Sequence, residues 1–87
     1  HEIINEEFTV EHKARDLLTM LSLKPVILLR ELFETSRTKI EAIVTFLAVL
    51  ELIRLKEIKV MQKRIFDDIE IVRSVNEKSV PLAENNT

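Results

Sequence analysis

The stretch that decides the fold is SRTKIEAIVTFLAVLELIRL, residues 36–55. Thr38 offers an N-cap, and residues 38–41 fit a capping box, in which the glutamate reaches back to the N–H of the cap residue. We predict a long helix that begins after Thr38 and ends near residue 55. Between residues 40 and 55 the chain is apolar except at Glu41, Thr45, Glu51 and Arg54.

This predicted helix is apolar on nearly all sides. At about 100° per residue, Glu41 and Thr45 lie together while Glu51 and Arg54 lie towards the opposite side, so no single polar face forms. We expect one side to pack in the core and another to contact a second protein. The sequence leaves open which of two arcs packs in the core and which forms the interface. For any single residue of either arc, a place in the core is favoured over a place in the interface. One arc holds Phe46, Leu50 and Ile53 with Ala42 and Val49, and the other holds Ile40, Ile43, Val44 and Leu47.

Shorter elements precede the long helix. A first helix is predicted over residues 10–21, with Thr9 as its N-cap. Residues 25–29 (PVILL) begin with proline, which blocks helix continuation, and predict a short strand. Residues 30–34 predict a short second helix, and its very short link to the long helix is typical of a helix-turn-helix.

Two segments after the long helix alternate with period two and predict a β-hairpin. They are residues 58–63 and 68–72, joined by a loop at residues 64–67. The order helix, short strand, helix-turn-helix and two-stranded hairpin is that of a winged helix, an α+β fold that is mainly α. We divide the chain into a lead-in segment, a winged-helix domain and a flexible C-terminal tail: residues 1–8, 9–73 and 74–87.

The composition excludes several classes of protein. The chain has 87 residues, no glycine, no cysteine and a net charge of −2. Without glycine the phosphate-binding loop and the dinucleotide fingerprint are excluded, and without cysteine so are disulfides and thiolate metal sites. No stretch has the roughly 20 apolar residues of a membrane span. The sequence also shows no cluster of catalytic or metal-ligand residues. We therefore expect the chain not to be an enzyme, not to bind a cofactor, a metal or a small-molecule substrate, and not to associate with a membrane.

The hairpin keeps a second function open. A DNA-reading helix offers basic or amide side chains to base edges, whereas Lys39 and Arg54 on the long helix are balanced by acidic residues. The hairpin is locally basic, and the simpler interpretation is a solvated strand edge, because acidic residues follow at once. The alternative is a DNA-binding winged helix that contacts phosphates through its wing, at Lys56, Lys59, Lys63 and Arg64.

Three motifs resemble the C-terminal end of prokaryotic kleisins of the ScpA family. They are SRT at residues 36–38, TFLAVLELIR at residues 45–54 and FDDI at residues 66–69. The family pattern reads S-R-x-E-x-V-x-T-F-L-A-L-L-E-L, followed by a wing that ends F-G-x-I. Lys56 and Asp67 stand where relatives usually carry glycine, and both are turn positions.

The resemblance implies a module that docks on the head of an SMC ATPase. Docking helps to close the SMC–kleisin ring for chromosome condensation and segregation, in the cytoplasm at the nucleoid. Full-length relatives also bind ScpB and a second SMC subunit through segments that this chain does not match. No direct sequence-specific nucleic-acid contact is implied.

Six residues are expected to form the contact with the SMC head: Phe46, Val49, Leu50, Ile53, Met61 and Phe66. Met61 is out of phase with the apolar residues of its strand and therefore points to solvent. Phe66 either folds back onto the core or inserts into a partner. A homodimer built on the same arc of the long helix is a third hypothesis.

Overall fold

The computed structural model describes residues 9–74, which form three helices and a three-stranded antiparallel sheet. This arrangement confirms the predicted α+β winged-helix architecture. The predicted lead-in segment, residues 1–8, and the predicted tail from residue 75 onward lie outside the described residues. The elements are α1 Val10–Leu23, β1 Val26–Leu28, α2 Leu29–Glu34, α3 Lys39–Arg54, β2 Ile58–Gln62 and β3 Ile69–Arg73.

The sheet has one more strand than the predicted hairpin. Its order is β1-β3-β2, so β3 is the central strand and both neighbours run antiparallel to it. Ile71 in β3 lies opposite Ile27 in β1 and Val60 in β2. The short strand therefore joins the wing to the helical layer, because it immediately precedes α2.

The core lies between the helices and one face of the sheet. All three helices and all three strands contribute to it. On β2 only the first residue is buried, because β2 is an edge strand whose later residues are exposed. The buried cluster consists of Leu17, Leu21, Ile27, Leu32, Val49, Leu52, Ile58 and Ile71.

The first helix begins as predicted and ends two residues later than predicted. The Thr9 hydroxyl accepts a hydrogen bond from the backbone N–H of His12 at 3.1 Å, which caps the helix. The helix continues to Leu23, and the N–H of Lys24 still donates to the carbonyl of Met20 at 2.9 Å. Pro25 follows directly, which agrees with the predicted block at this position.

The third helix ends in a Schellman motif centred on Lys56. The N–H of Glu57 donates to the carbonyl of Leu52, and the N–H of Lys56 donates to the carbonyl of Ile53, both at 2.9 Å. Lys56 has φ 63°, the left-handed conformation that favours glycine. This conformation explains why the family pattern usually has glycine at this position, where the present chain has lysine.

We expect Lys56→Gly to stabilise the domain. The left-handed conformation costs a residue with a Cβ roughly 1–2 kcal/mol, and the extra backbone entropy of glycine offsets part of that gain. The free energy of unfolding should rise by about 0.5–1 kcal/mol, measured by urea denaturation. Lys56→Ala is the matched control, because alanine keeps the Cβ and the strain. A glycine variant no more stable than the alanine variant would contradict the prediction.

Candidate functional site

The start of α3 is fixed by a cap that differs in one bond from the predicted capping box. The Thr38 hydroxyl accepts from the N–H of Glu41 at 3.0 Å, as predicted. The Glu41 carboxylate accepts from the N–H of Arg37 at 2.8 Å, instead of from the cap residue itself. The glutamate therefore reaches one residue further back than predicted. It stabilises the turn before α3 as well as the first turn of the helix.

The same carboxylate joins α3 to α1. The Lys13 ammonium donates to the Glu41 carboxylate at 2.6 Å, and both side chains are largely buried. The pKa of Glu41 lies below its usual range, chiefly because of the Arg37 N–H and then because of Lys13. This ion pair links the start of α3 to α1, on the side of the helix that also carries the residues buried in the core.

We expect the link between Glu41 and Lys13 to make stability depend on acid pH. Because the pKa of Glu41 is lower in the folded chain than in the unfolded chain, its contribution is present above the ordinary carboxyl pKa of about 4.3. The contribution is lost as the pH falls through the folded pKa. Glu41→Gln should therefore flatten the fall in urea-unfolding free energy between about pH 6 and pH 3. Parallel profiles for wild type and variant would show that this group contributes nothing.

One stripe of α3 is buried, and it coincides with neither predicted arc. It consists of Thr45, Ala48, Val49 and Leu52, and it faces α1 and the sheet. The prediction that one of the two arcs is the core is therefore wrong. The prediction took the polar residues Glu41 and Thr45 as a sign of an exposed side. In the structure Glu41 is neutralised by Lys13, and the small Thr45 side chain is buried.

The opposite side of α3 is apolar and exposed. Its side chains have exposed fractions between 36% and 59%. This surface draws residues from both predicted arcs, which fits the expectation that a second side of the helix is free of the core. We call it the apolar face; it consists of Ile40, Ile43, Phe46, Leu47, Leu50 and Ile53.

Three of the predicted contact residues on α3 lie on this face, and one does not. Phe46, Leu50 and Ile53 are exposed, whereas Val49 is only 3% exposed. Val49 packs in the core because it lies on the buried stripe, so its assignment to a surface contact is corrected. The Phe46 ring also contacts Phe33 of α2, with ring centroids 6.3 Å apart.

The sequence prediction did not assign three residues of the apolar face to the contact. Ile40, Ile43 and Leu47 were placed on an arc that could have been core. The signal that could have identified them was the ability of Glu41 to form an ion pair with a neighbouring helix. A paired Glu41 can lie on the inner side of α3, which leaves Ile40, Ile43 and Leu47 on the outer side. A shallow hollow of about 330 Å³ lies at this end of the face, bordered by Phe33, Ile43 and Phe46.

The tip of the wing presents two apolar side chains to solvent. Ile65 is exposed and Phe66 is 97% exposed, so Phe66 does not fold back onto the core. The turn is held by the N–H of Asp67, which donates to the carbonyl of Arg64 at 2.9 Å, and by the Gln62 amide, which donates to the carbonyl of Asp67 at 2.8 Å. Phe66 has φ 71°, so the left-handed residue is Phe66 and not its neighbour at the expected glycine position.

The basic residues of the wing lie at the surface, and one of them, Lys63, lies beside an acidic partner. The Lys63 ammonium is 3.5 Å from the Glu70 carboxylate, and the Arg30 guanidinium is 3.2 Å from the Asp68 carboxylate. Arg30 also lowers the pKa of Asp68. The other predicted phosphate contacts, Lys56, Lys59 and Arg64, are exposed. Met61 is also exposed, as predicted.

No metal-binding cluster of three or more His, Asp or Glu side chains occurs within residues 9–74. Over the same residues, none of the helices combines the length and the apolar character needed to cross a membrane. His12 is exposed at the surface of α1, with its Nε2 4.0 Å from the Asp16 carboxylate. The apolar face of α3 and the wing are therefore the features that call for a functional explanation.

Comparison with known proteins agrees with the sequence resemblance. The family model described as "Segregation and condensation protein ScpA" matches residues 1–74. Relatives named Segregation and condensation protein A include those of Caldanaerobacter subterraneus subsp. tengcongensis, 43% identical over 70 residues, and Thermoanaerobacter pseudethanolicus, 47% identical over 70 residues. The protein of Clostridium acetobutylicum is 39% identical over 66 residues.

These matches cover most of the chain and a minor part of each relative. They span 80%, 80% and 76% of this chain, and 28%, 29% and 26% of the three relatives respectively. The chain thus spans less than a third of the length of the curated relatives it matches. The family match includes the whole of α3, the wing and the elements that position them. The chain therefore belongs to the ScpA family of kleisins.

Proposed function

We propose that this chain is the module by which an ScpA-type kleisin docks on the head of an SMC ATPase. The observation that carries the proposal is the apolar face of α3, which lies opposite the buried stripe and is exposed along the whole helix. A continuous apolar surface of this kind on a small domain is typical of a protein contact. The function is docking within a chromosome condensation and segregation complex, and not catalysis.

The wing tip supplies a second contact in this proposal. Phe66 is almost fully exposed and is held by a hydrogen-bonded turn. An aromatic side chain presented by a rigid turn loses little conformational freedom when it enters a pocket, which favours affinity. Met61 on β2 extends the apolar contact towards the sheet, and its flexible thioether adapts to an irregular surface.

The remaining contacts of a full-length kleisin are assigned to other segments. We propose that binding of ScpB and of a second SMC subunit, and hence closure of the ring, requires parts of the relatives that this chain does not match. The place of action is the cytoplasm, at the nucleoid. In this arrangement the present domain provides one of the two SMC contacts.

DNA binding through the wing is the second candidate function. The exposed cations Lys56, Lys59 and Arg64 favour it, because phosphate contacts supply most non-specific affinity for DNA. Glu70, which pairs with Lys63, weakens the positive field of the wing.

On the exposed side of α3, where a recognition helix would read bases, the basic side chains are Lys39 and Arg54, and Arg54 is paired with Glu51 at 2.7 Å. The remainder of that side is the apolar face, which offers no hydrogen-bonding groups to base edges.

A pull-down against an isolated SMC head, with a duplex DNA shift assay at the same salt concentration, separates the two candidates. We expect the 87-residue chain to retain the head and to leave the DNA unshifted. A DNA shift without head binding, which weakens steeply with salt and is lost in Lys59→Glu/Lys63→Glu, would replace the docking proposal with the DNA proposal.

A further inference from the structure

A cavity of about 100 Å³ lies where α1, α2 and α3 meet. Its apolar walls are formed by Leu17, Met20, Leu32 and Ala48. Because Ala48 belongs to the buried stripe of α3, this junction cavity lies on the side of the helix opposite the apolar face. A ligand in the junction cavity would therefore leave the apolar face free for docking.

The junction cavity contains a buried hydroxyl that has no partner in the protein. Thr45 lines the cavity and is only 9% exposed. Among residues 9–74 no side chain or backbone group forms a hydrogen bond with its hydroxyl. Buried polar groups are nearly always hydrogen-bonded, and an unpaired one costs stability. The hydroxyl is thus an acceptor or donor that is available to a ligand.

The junction cavity carries a net negative charge. Lys13 and Glu41 both line it, but they neutralise each other through their 2.6 Å ion pair. Asp16 remains, and it lies at the exposed border of the cavity together with Met20. The His12 Nε2 lies 4.0 Å from the Asp16 carboxylate, and among residues 9–74 no lysine or arginine forms an ion pair with Asp16. The exposed border of the junction cavity therefore favours a positively charged ligand.

We propose that the junction cavity binds a primary alkylammonium group of the kind that ends a lysine side chain. The apolar walls suit the methylene stem of lysine, and the acceptors suit its ammonium group. Asp16 comes from α1, Ser36 from the turn after α2, and Thr45 from α3, so the acceptors approach from three directions. An ammonium offers three donors that diverge, whereas the planar fork of arginine requires acceptors side by side.

The volume is consistent with the end of such a side chain. About 100 Å³ exceeds the roughly 30 Å³ that one water molecule occupies in the liquid, so the space admits several heavy atoms. The Ser36 hydroxyl donates to the carbonyl of Leu32 at 3.0 Å, which leaves its lone pairs as acceptors. The proposal goes beyond docking on the SMC head and does not depend on it, because the two surfaces lie on opposite sides of α3.

The test uses n-butylammonium as the probe of the lysine side chain, with NMR spectra of the 87-residue chain. We expect saturable shifts at Thr45, Ala48 and Leu32, with a dissociation constant on the order of 1–10 mM, as is usual for a ligand of so few atoms. Butyrate and n-butanol have the same length of chain without the positive charge, and they should not saturate. Equal binding of n-butanol, or no saturable shift with n-butylammonium, would overturn the proposal.

Two variants locate the site. Asp16→Asn should weaken n-butylammonium binding by about tenfold, because the charged partner of the ammonium is removed. Thr45→Val keeps the shape of the side chain and removes an unpaired hydroxyl, so it should fold normally and bind several-fold more weakly. Glu34→Gln removes an exposed carboxylate outside the cavity and should leave binding unchanged. If neither cavity variant alters binding, the ammonium binds elsewhere and the proposal fails.

Discussion

Replacing Leu50 with arginine is expected to abolish binding to the SMC head while leaving the domain folded. Leu50 lies in the middle of the apolar face and is exposed, so the folded domain tolerates a charge there. In the complex the same charge would be buried without a partner. We expect affinity to fall by roughly 100-fold or more, measured by titration calorimetry with an isolated head.

The matched control for Leu50→Arg is Leu23→Arg, at the end of α1. Leu23 is also an exposed leucine, but it lies on another helix outside the apolar face. It should bind as the wild type does. A Leu50→Arg variant that stays folded and binds normally would remove Leu50 from the contact. Phe46→Arg should also abolish binding, although it additionally loses the ring contact with Phe33 and so tests the surface less cleanly.

Replacing Ile71 with alanine is expected to cost a large part of the stability of the domain. Ile71 is 0% exposed and occupies the central strand, between Ile27 and Val60. An Ile→Ala change at such a site costs about 2–5 kcal/mol, from lost burial and from the cavity left behind. Domains of this kind have total stabilities of only about 5–15 kcal/mol.

Urea denaturation followed by circular dichroism measures this effect. Ile65→Ala makes the same change in side chain at the exposed wing tip, and its free energy of unfolding should stay within about 0.5 kcal/mol of wild type. A loss of less than about 1 kcal/mol for Ile71→Ala would mean that β3 is not the centre of the core.

Most of the architecture could be predicted because its signals are local. The N-caps at Thr9 and Thr38, the proline at position 25 and the period-two segments of the wing each determine an element from neighbouring residues. The pairing of β1 with β3 was not predicted. It joins residues more than 40 positions apart, such as Ile27 and Ile71, and a three-residue strand carries no pattern that names its partner.

The sequence predicted that α3 has an exposed apolar side, but it identified only some of the residues on that side. A helix that is apolar on nearly all sides has no periodic contrast from which the buried side can be read. The polar pair Glu41 and Thr45 lies on the inner side of α3, where Glu41 is paired with Lys13 of α1 and Thr45 is buried. A pairing between distant residues of this kind leaves no local sequence pattern. Val49 was consequently assigned to the surface although it lies in the core. The exposure of Phe66 also required the structure, because the turn chemistry allowed either orientation.

In the proposed complex the apolar face of α3 is buried against an SMC head. The most direct measurement is the accessibility of its methyl groups to a soluble paramagnetic probe, by NMR, with and without an isolated head. We predict that the methyl groups of Ile40, Ile43, Leu47 and Leu50 lose their relaxation enhancement in the complex, while those of Leu23 keep it. Unchanged accessibility of these α3 methyl groups in a saturated complex would contradict the proposal.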